Sequence, residues 1–446
     1  MPSTGAFTDR YGLALSTSSS LAAERYVEAL DLFLSGNLGA EDRLAEAMQA
    51  DEGFALPHAA LASMHMFYGR PAEARASAER ARVLSGGISR REQQHVEMIA
   101  AQVTGDMERA KVLAREHVGE FPRDVAILRL ASFVLAGSAR DSRAQRLAFL
   151  QQHQDAYGDD WWFLGFLGFA MGEQDQFAGA RRLSERSLAL FPRNGIAAHS
   201  LAHVFYETND HSAGLDFLAS WMEPYQREAP HHCHFIWHMA LFDLTSGNYQ
   251  GALERFAHGI RSADSAISQL PDAASLLWRC RLYGYMQAVL PWDAVQSIIN
   301  RKAPTPAIPF MAAHAALAYA GAGDLAALEA LEQALRDLAA KGNALAGSVT
   351  APLTAGIGAF VRGNYADAIL LLAPIIGEIV RIGGTNAQRE VFQDTLLEAM
   401  LRAGRYDEAE ALLRRRLGRR ESGRDQFWLG RVHTGRGDAA LARASR

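Results

Sequence analysis

Fifteen histidines are spread through this 446-residue chain, and their spacing is not random. Chance placement would give roughly half a pair separated by four residues. Two such pairs occur, His199/His203 in HSLAH and His234/His238 in HFIWH. Four-residue spacing sets both side chains on one face of a helix. Neutral imidazole is a common ligand, so the four could hold a divalent metal such as Zn, Fe or Mn. His199, His203 and His238 could equally act as general acid and base, or bind an anion as imidazolium. Neither pair carries the glutamate of HExxH, which excludes that zinc-protease motif. Cys233 adjoins the second pair as a candidate nucleophile or soft ligand, although a lone cysteine is more often inert. A single histidine on an apolar face is likewise more often a hydrogen-bonded core residue.

Helices must position these groups. Apolar residues recur at i, i+3, i+4 and i+7 almost throughout, and strand patterns are scarce. Turn signals end helices at 35–37, 68–70, 104–106, 171–173, 208–210, 246–248, 322–324, 362–364 and 403–405. A second apolar-periodic stretch follows each one, which is the signature of stacked helical hairpins. Residues 161–194 show the unit best. Trp161, Leu164 and Gly165 stand where a tetratricopeptide repeat has W-x-x-L-G, and Ala178 and Ala180 allow a second helix to pack closely. A hairpin of this kind cannot bury its apolar face alone, so neighbours stack. The expectation is an all-α, right-handed α-α superhelical solenoid over 22–446, preceded by a flexible arm over 1–21. Segments 123–160 and 264–310 read as irregular repeats, and 306–323 as a buried helix.

The register of the histidines refines the site. Counted back from the turn residue that ends its helix, His95 lies ten before Gly105, and His199 and His203 lie ten and six before Asn209. His234 and His238 lie thirteen and nine before Gly247, and His314 nine before Gly323. These offsets form one helical stripe. In a tetratricopeptide hairpin that stripe faces the concave groove, so all six are expected in one trough, continued by Tyr206 and Glu207. Trp161, Trp162, Trp221, Trp237, Trp278 and Trp292 read as packing anchors.

Composition removes several function classes. Apolar residues make up 49% and net charge is -5, which excludes a disordered chain and gives no global field for nucleic acid. Two cysteines cannot build a disulfide framework, which fits a reducing, cytoplasmic setting. Residues 1–20 lack a signal-peptide pattern, and no segment reads as a membrane span. Heavy Ala and Arg usage, with only three lysines, is of the kind a GC-rich bacterial genome gives. Twelve arginines against six acids in 402–446 read as solvated helix ends.

Several segments resemble the tetratricopeptide-repeat protein 38 family: SRREQQHV (89–96), HSLAHVFYE (199–207), CHFIWHMALFDLTSGNYQGAL (233–253), DAASLLWR (272–279) and IVRIGGTNAQREVF (379–392). The likeness spans about 88–402 and is most specific in the last segment. It implies a helical-repeat fold, and that His95, His199, His203, His234, Trp237, His238, Asp272, Arg279, His314, Asn386, Gln388 and Arg389 occupy family positions. It supplies no activity. Two acids depart from the family pattern: Tyr206 and Glu207 stand where it has Glu and Met, and Ala312 replaces an aspartate.

Two functions are therefore expected. The first is a small-molecule site, with hydrolase or lyase chemistry open to it. In it the histidines do acid/base or metal chemistry, lined by His95, His234, Trp237, Asp272, His314 and Asn386. Arg279 and Arg389 would hold an anionic group, since a guanidinium fork suits carboxylate or phosphate. The second is a non-catalytic peptide-binding scaffold. Neither calls for nucleic acid or a membrane, and a homodimer is possible.

Overall fold

The computed structural model describes residues 7–262, 268–284, 289–301 and 305–437. Apart from one short hairpin its elements are helical, arranged as antiparallel pairs. The protein is an all-α solenoid of tetratricopeptide-like hairpins. Each of the nine expected turns directly follows a helix end, for example at Ser35, Thr104, Glu207, Thr245 and Arg402. Parts of 1–21 and 264–310, Lys302 and the last residues of the arginine-rich segment lie outside the described residues.

Contacts divide the chain into two compact units. The first comprises 1–200 and 228–230, and the second 201–227 and 231–446. The division falls inside the helix Gly195–Glu207.

In the first unit, helix pairs run from Ser20–Ser35 with Ala40–Ala50 through Trp161–Gly172 with Phe177–Leu190. The W-x-x-L-G reading has a direct cause here. A Cβ on Gly165 would stand 3.0 Å from Asn194 Nδ2 and 3.1 Å from the Ala197 Cβ, so only glycine lets the helices approach this closely. The irregular segment 123–160 is a hairpin, Val125–Ala136 with Ser142–Gln152, plus a short extra helix Gln154–Tyr157. The described part of the N-terminal segment carries the short hairpin. Phe7–Thr8 pairs antiparallel with Ala14–Leu15, and Arg10 bonds Asp31 at 3.0 Å and pairs with Asp160.

In the second unit, pairs include His232–Thr245 with Tyr249–Arg255, Pro309–Ala322 with Leu325–Ala340, and Asn386–Arg402 with Tyr406–Arg419. Segment 306–323 is the buried helix it promised to be. Trp237 and Trp278 are fully buried, as is Trp162 in the first unit, and the ring areas they withdraw from water dominate the local packing. No helix among the described residues is long and apolar enough to cross a membrane.

Candidate functional site

The helix His232–Thr245 is buried nearly all round, so its histidines are desolvated by their own element. His238 is fully buried, and its ring centroid lies 4.6 Å from His203 and 4.7 Å from His234, both edge-on. His199 is carried one turn before His203 by the same rigid helix. His199, His203, His234 and His238 each offer a ring nitrogen, all within 4.8 Å of one another.

Electrostatics fix the state of this cluster. Burial, with His203 and His234 adjacent, pushes the His238 imidazole well below its ordinary range, so it is neutral at pH 7. His234 Nδ1 lies 3.0 Å from both oxygens of the buried Asp272. The carboxylate accepts that N–H, which selects the tautomer whose Nε2 carries the lone pair. Trp237 stacks on His234 at 5.1 Å and donates Nε1–H to Ser275 Oγ at 3.2 Å, locking the ring beside it. A carboxylate, an indole and a serine thus orient one imidazole, and crowding keeps its neighbour neutral.

The other expected site residues divide. Arg279 is fully buried and packs over Trp237, with its guanidinium 5.8 Å from the ring. It donates to Ala387 O at 2.6 Å, tying two helices together. His314 stays outside the four-histidine group. It hydrogen-bonds Phe310 O at 2.8 Å, packs on Phe392, and is pushed down to about 4 by burial. Burial also raises the Cys233 thiol well above its ordinary value, with Asp272 adding to the effect, which argues against a nucleophile.

Asn386 and Arg389 serve the turn before their helix. Thr385 caps it, with Thr385 Oγ1 accepting from Gln388 N and the Gln388 side chain returning to Thr385 N. Gly384 sits at φ +70° against the Phe310 ring, where no Cβ fits. Arg389 donates to Gly384 O at 2.6 Å and Gly383 O at 3.2 Å, and its other arm bonds Asn386 Oδ1. These bonds brace the strained turn, whereas the sequence had suggested a clamp for an anion. Arg389→Ala is expected to destabilise the ligand-free protein by about 1–3 kcal/mol, because two carbonyls lose their donor. Denaturant titration checks this, and unchanged stability would return the arginine to a ligand role.

His95 belongs elsewhere, in the first unit. Its Nδ1 lies 3.0 Å from Asp124 Oδ2, which also meets His117 Nε2 at 3.1 Å and Arg91 Nη1 at 2.8 Å. Register fixed the angle of His95 about its helix axis, but the N-cap of the helix Val125–Ala136 captured the ring. Seventy positions on, Gly165, Ser187 and Asn194 build the same node: Asn194 Nδ2 donates to Ser187 Oγ at 2.8 Å, beside Gly165. The node is a repeat-to-repeat tie. Arg91 already neutralises its carboxylate, so the four-histidine cluster is the better metal candidate. The FPRD/FPRN pair at 121–124 and 191–194 was the sequence signal for it.

Sequence reasoning also missed a buried ion network in the second unit. Glu390 meets Arg416 at 2.9 Å and Arg424 at 3.1 Å, pairs with Arg420, and accepts Tyr206 OH at 2.5 Å. Arg416 further bonds Asp394 at 2.8 Å and Asp425 at 2.9 Å. Glu207 takes Arg419 at 2.7 Å and Arg420 at 3.0 Å. Tyr206 and Glu207 therefore serve this network, where they were expected to extend the histidine stripe. Arg416, Arg420 and Arg424 are not the solvated helix ends that composition suggested.

No protein-family model matches the chain. Solved structures it is similar to are helical-repeat proteins at low identity. Human IFIT1, solved as a dimer with m7Gppp-AAAA, is 17% identical over 97% of this chain and 90% of that one, with TM-score 0.41. Yeast Tom70 is 14% identical over 95% and 96%, with TM-score 0.32. A chain of the Naa15/Naa10 complex bound to HypK-THB is 12% identical over 88% of this chain, which spans 62% of it, with TM-score 0.26. These are distant likenesses, and the fold assignment stands on the helix order and packing above.

Proposed function

We propose that this protein is a tetratricopeptide-repeat protein 38-type protein that binds a divalent transition metal and a small molecule at His203, His234 and His238, with His199 as a fourth ligand. One observation carries the reading: four imidazoles converge within 4.8 Å, three of them buried. Clustered buried imidazoles cannot all carry charge without severe repulsion, and as neutral rings they form an N-donor set suited to Zn, Fe or Mn.

The chain's own residues would do the following. Asp272 holds His234 as the Nε2 donor and fixes the direction of its ring. Burial keeps His238 neutral, so one of its ring nitrogens keeps its lone pair for a metal. Trp237 and Ser275 fix the angle of the His234 ring. A metal held there would supply Lewis acidity and lower the pKa of bound water, which fits a hydrolase or lyase type of reaction on a small molecule.

Protein purified without a histidine tag and dialysed against trace Zn, Fe and Mn is expected to retain about one metal per chain. His203→Ala is expected to lower that to under a tenth, because losing one of three or four ligands opens the shell. Elemental analysis reads both. Metal-free wild type would remove the metal reading and leave acid–base catalysis or a peptide-binding scaffold.

A further inference from the structure

Two arginines of the first unit, Arg129 and Arg146, are desolvated without a bonded counter-ion. Arg129 packs beside the edge-on ring pair Phe33 and Phe67, its guanidinium carbon 4.9 and 5.2 Å from their centroids. Among the described residues it makes no side-chain hydrogen bond or ion pair. Arg146 packs on Phe133 at 4.6 Å, Phe166 at 5.2 Å and Phe169 at 5.5 Å, and its Nη2 is buried without a hydrogen-bond partner. The carboxylate nearest in its field, Glu173, is bonded by Arg143 at 3.0 Å. Arg129 and Phe133 lie one turn apart on the helix Val125–Ala136, so the two ring clusters are contiguous.

We propose that Arg129 and Arg146 form a binding site for a small organic anion, a carboxylate or phosphate carried on an aromatic or acyl body. Contact with aromatic rings offsets part of each guanidinium's desolvation without using up its N–H groups, which suit an oxyanion. Phe67 and Phe133 stay 37% and 45% exposed beside them, offering apolar surface to the ligand's body. Burial pushes both guanidinium groups down to about 10, with the Arg129 charge adding to the effect at Arg146, so both remain charged at pH 7. An arrangement that costs stability in the free protein is what a bound anion relieves. The structural arginines of this chain are bonded, Arg91 and Arg416 to acids and Arg389 to carbonyls, whereas Arg129 makes no such bond and Arg146 Nη2 is buried without one.

The test uses the full chain with 1-naphthyl phosphate, 1-naphthoate and the neutral 1-naphthol, by calorimetry at 50 and 500 mM salt. At least one of the two anions is expected to bind ten-fold or more tighter than naphthol, and to weaken at the higher salt. Arg129→Gln and Arg146→Gln should each weaken that anion ten-fold or more while leaving the ligand-free melting temperature unchanged or raised. Equal binding of naphthol, no binding by either anion, or undiminished anion affinity in both variants would overturn the site. The naphthol comparison needs only wild-type protein, so it decides even if a variant misfolds. A lowered melting temperature in both variants would mark the arginines as structural and also count against it. None of these outcomes depends on the histidine cluster.

Discussion

Replacing Asp272 by asparagine is expected to weaken metal binding by about 10–100-fold while leaving the ligand-free fold nearly intact. The side chain keeps its shape and one acceptor oxygen, so His234 Nδ1 at 3.0 Å retains a partner. The charge that favours the Nε2 lone pair is lost, and the neutral amide can turn its NH2 group toward the ring and select the wrong tautomer. Competition against a chelator of known affinity reads the change, with His203→Ala as the limit of complete loss. Equal affinity in Asp272→Asn and wild type would show that His234 is not a ligand. A large stability loss without metal would show that the pair serves packing instead.

Glu390→Gln is expected to cost about 3–5 kcal/mol, the largest stability effect of any single change considered for this chain. Burial alone would raise the Glu390 carboxyl. The charges of Arg420, Arg424 and Arg416, with the Tyr206 hydroxyl, instead hold it well below its ordinary value of 4.5. Glutamine leaves three buried guanidinium groups facing a neutral amide. The pH dependence follows with a definite sign. A carboxyl depressed in the folded state stabilises fully above its unfolded value, and that contribution is lost as pH falls through the folded one. Acid should therefore loosen wild type more steeply than Glu390→Gln, which starts weaker. Hydrogen exchange across the helices Asn386–Arg402 and Tyr406–Arg419 localises the effect. Uniform loosening of both units would contradict it.

The helix boundaries were readable because glycine and asparagine turns interrupt a 3.6-residue pattern nine times. Local chemistry writes both signals. The paired histidines were readable because a four-residue spacing survives any packing of the helix that carries it. Asp272 entered only through the resemblance, since 38 positions separate it from His234 and no local rule joins them. His95 shows where register ends: an angle about a helix axis does not say which neighbour's cap lies opposite. The arginines of 402–436 show the same gap for charge. Composition counts cations, but only the fold supplied Glu207, Glu390 and Asp394, the first of them some 200 positions earlier. Arg389 and Glu390, neighbours in the most specific segment, have unlike tasks because a helix turns 100° between them.

The arginine–carboxylate network has a consequence for biosynthesis. Its acids Glu390 and Asp394 emerge from the ribosome before Arg416, Arg420 and Arg424, and Asp425, the partner of Arg416, follows later still. Translation adds on the order of 5–20 residues per second, so these acids wait for seconds, hydrated and unneutralised, before the interior around them can close. The nascent chain thus spends an interval half finished, with the face that will cover Tyr206 and Glu390 open to water. That interval is when a chaperone, or a premature stop ahead of residue 425, would decide the fate of the molecule.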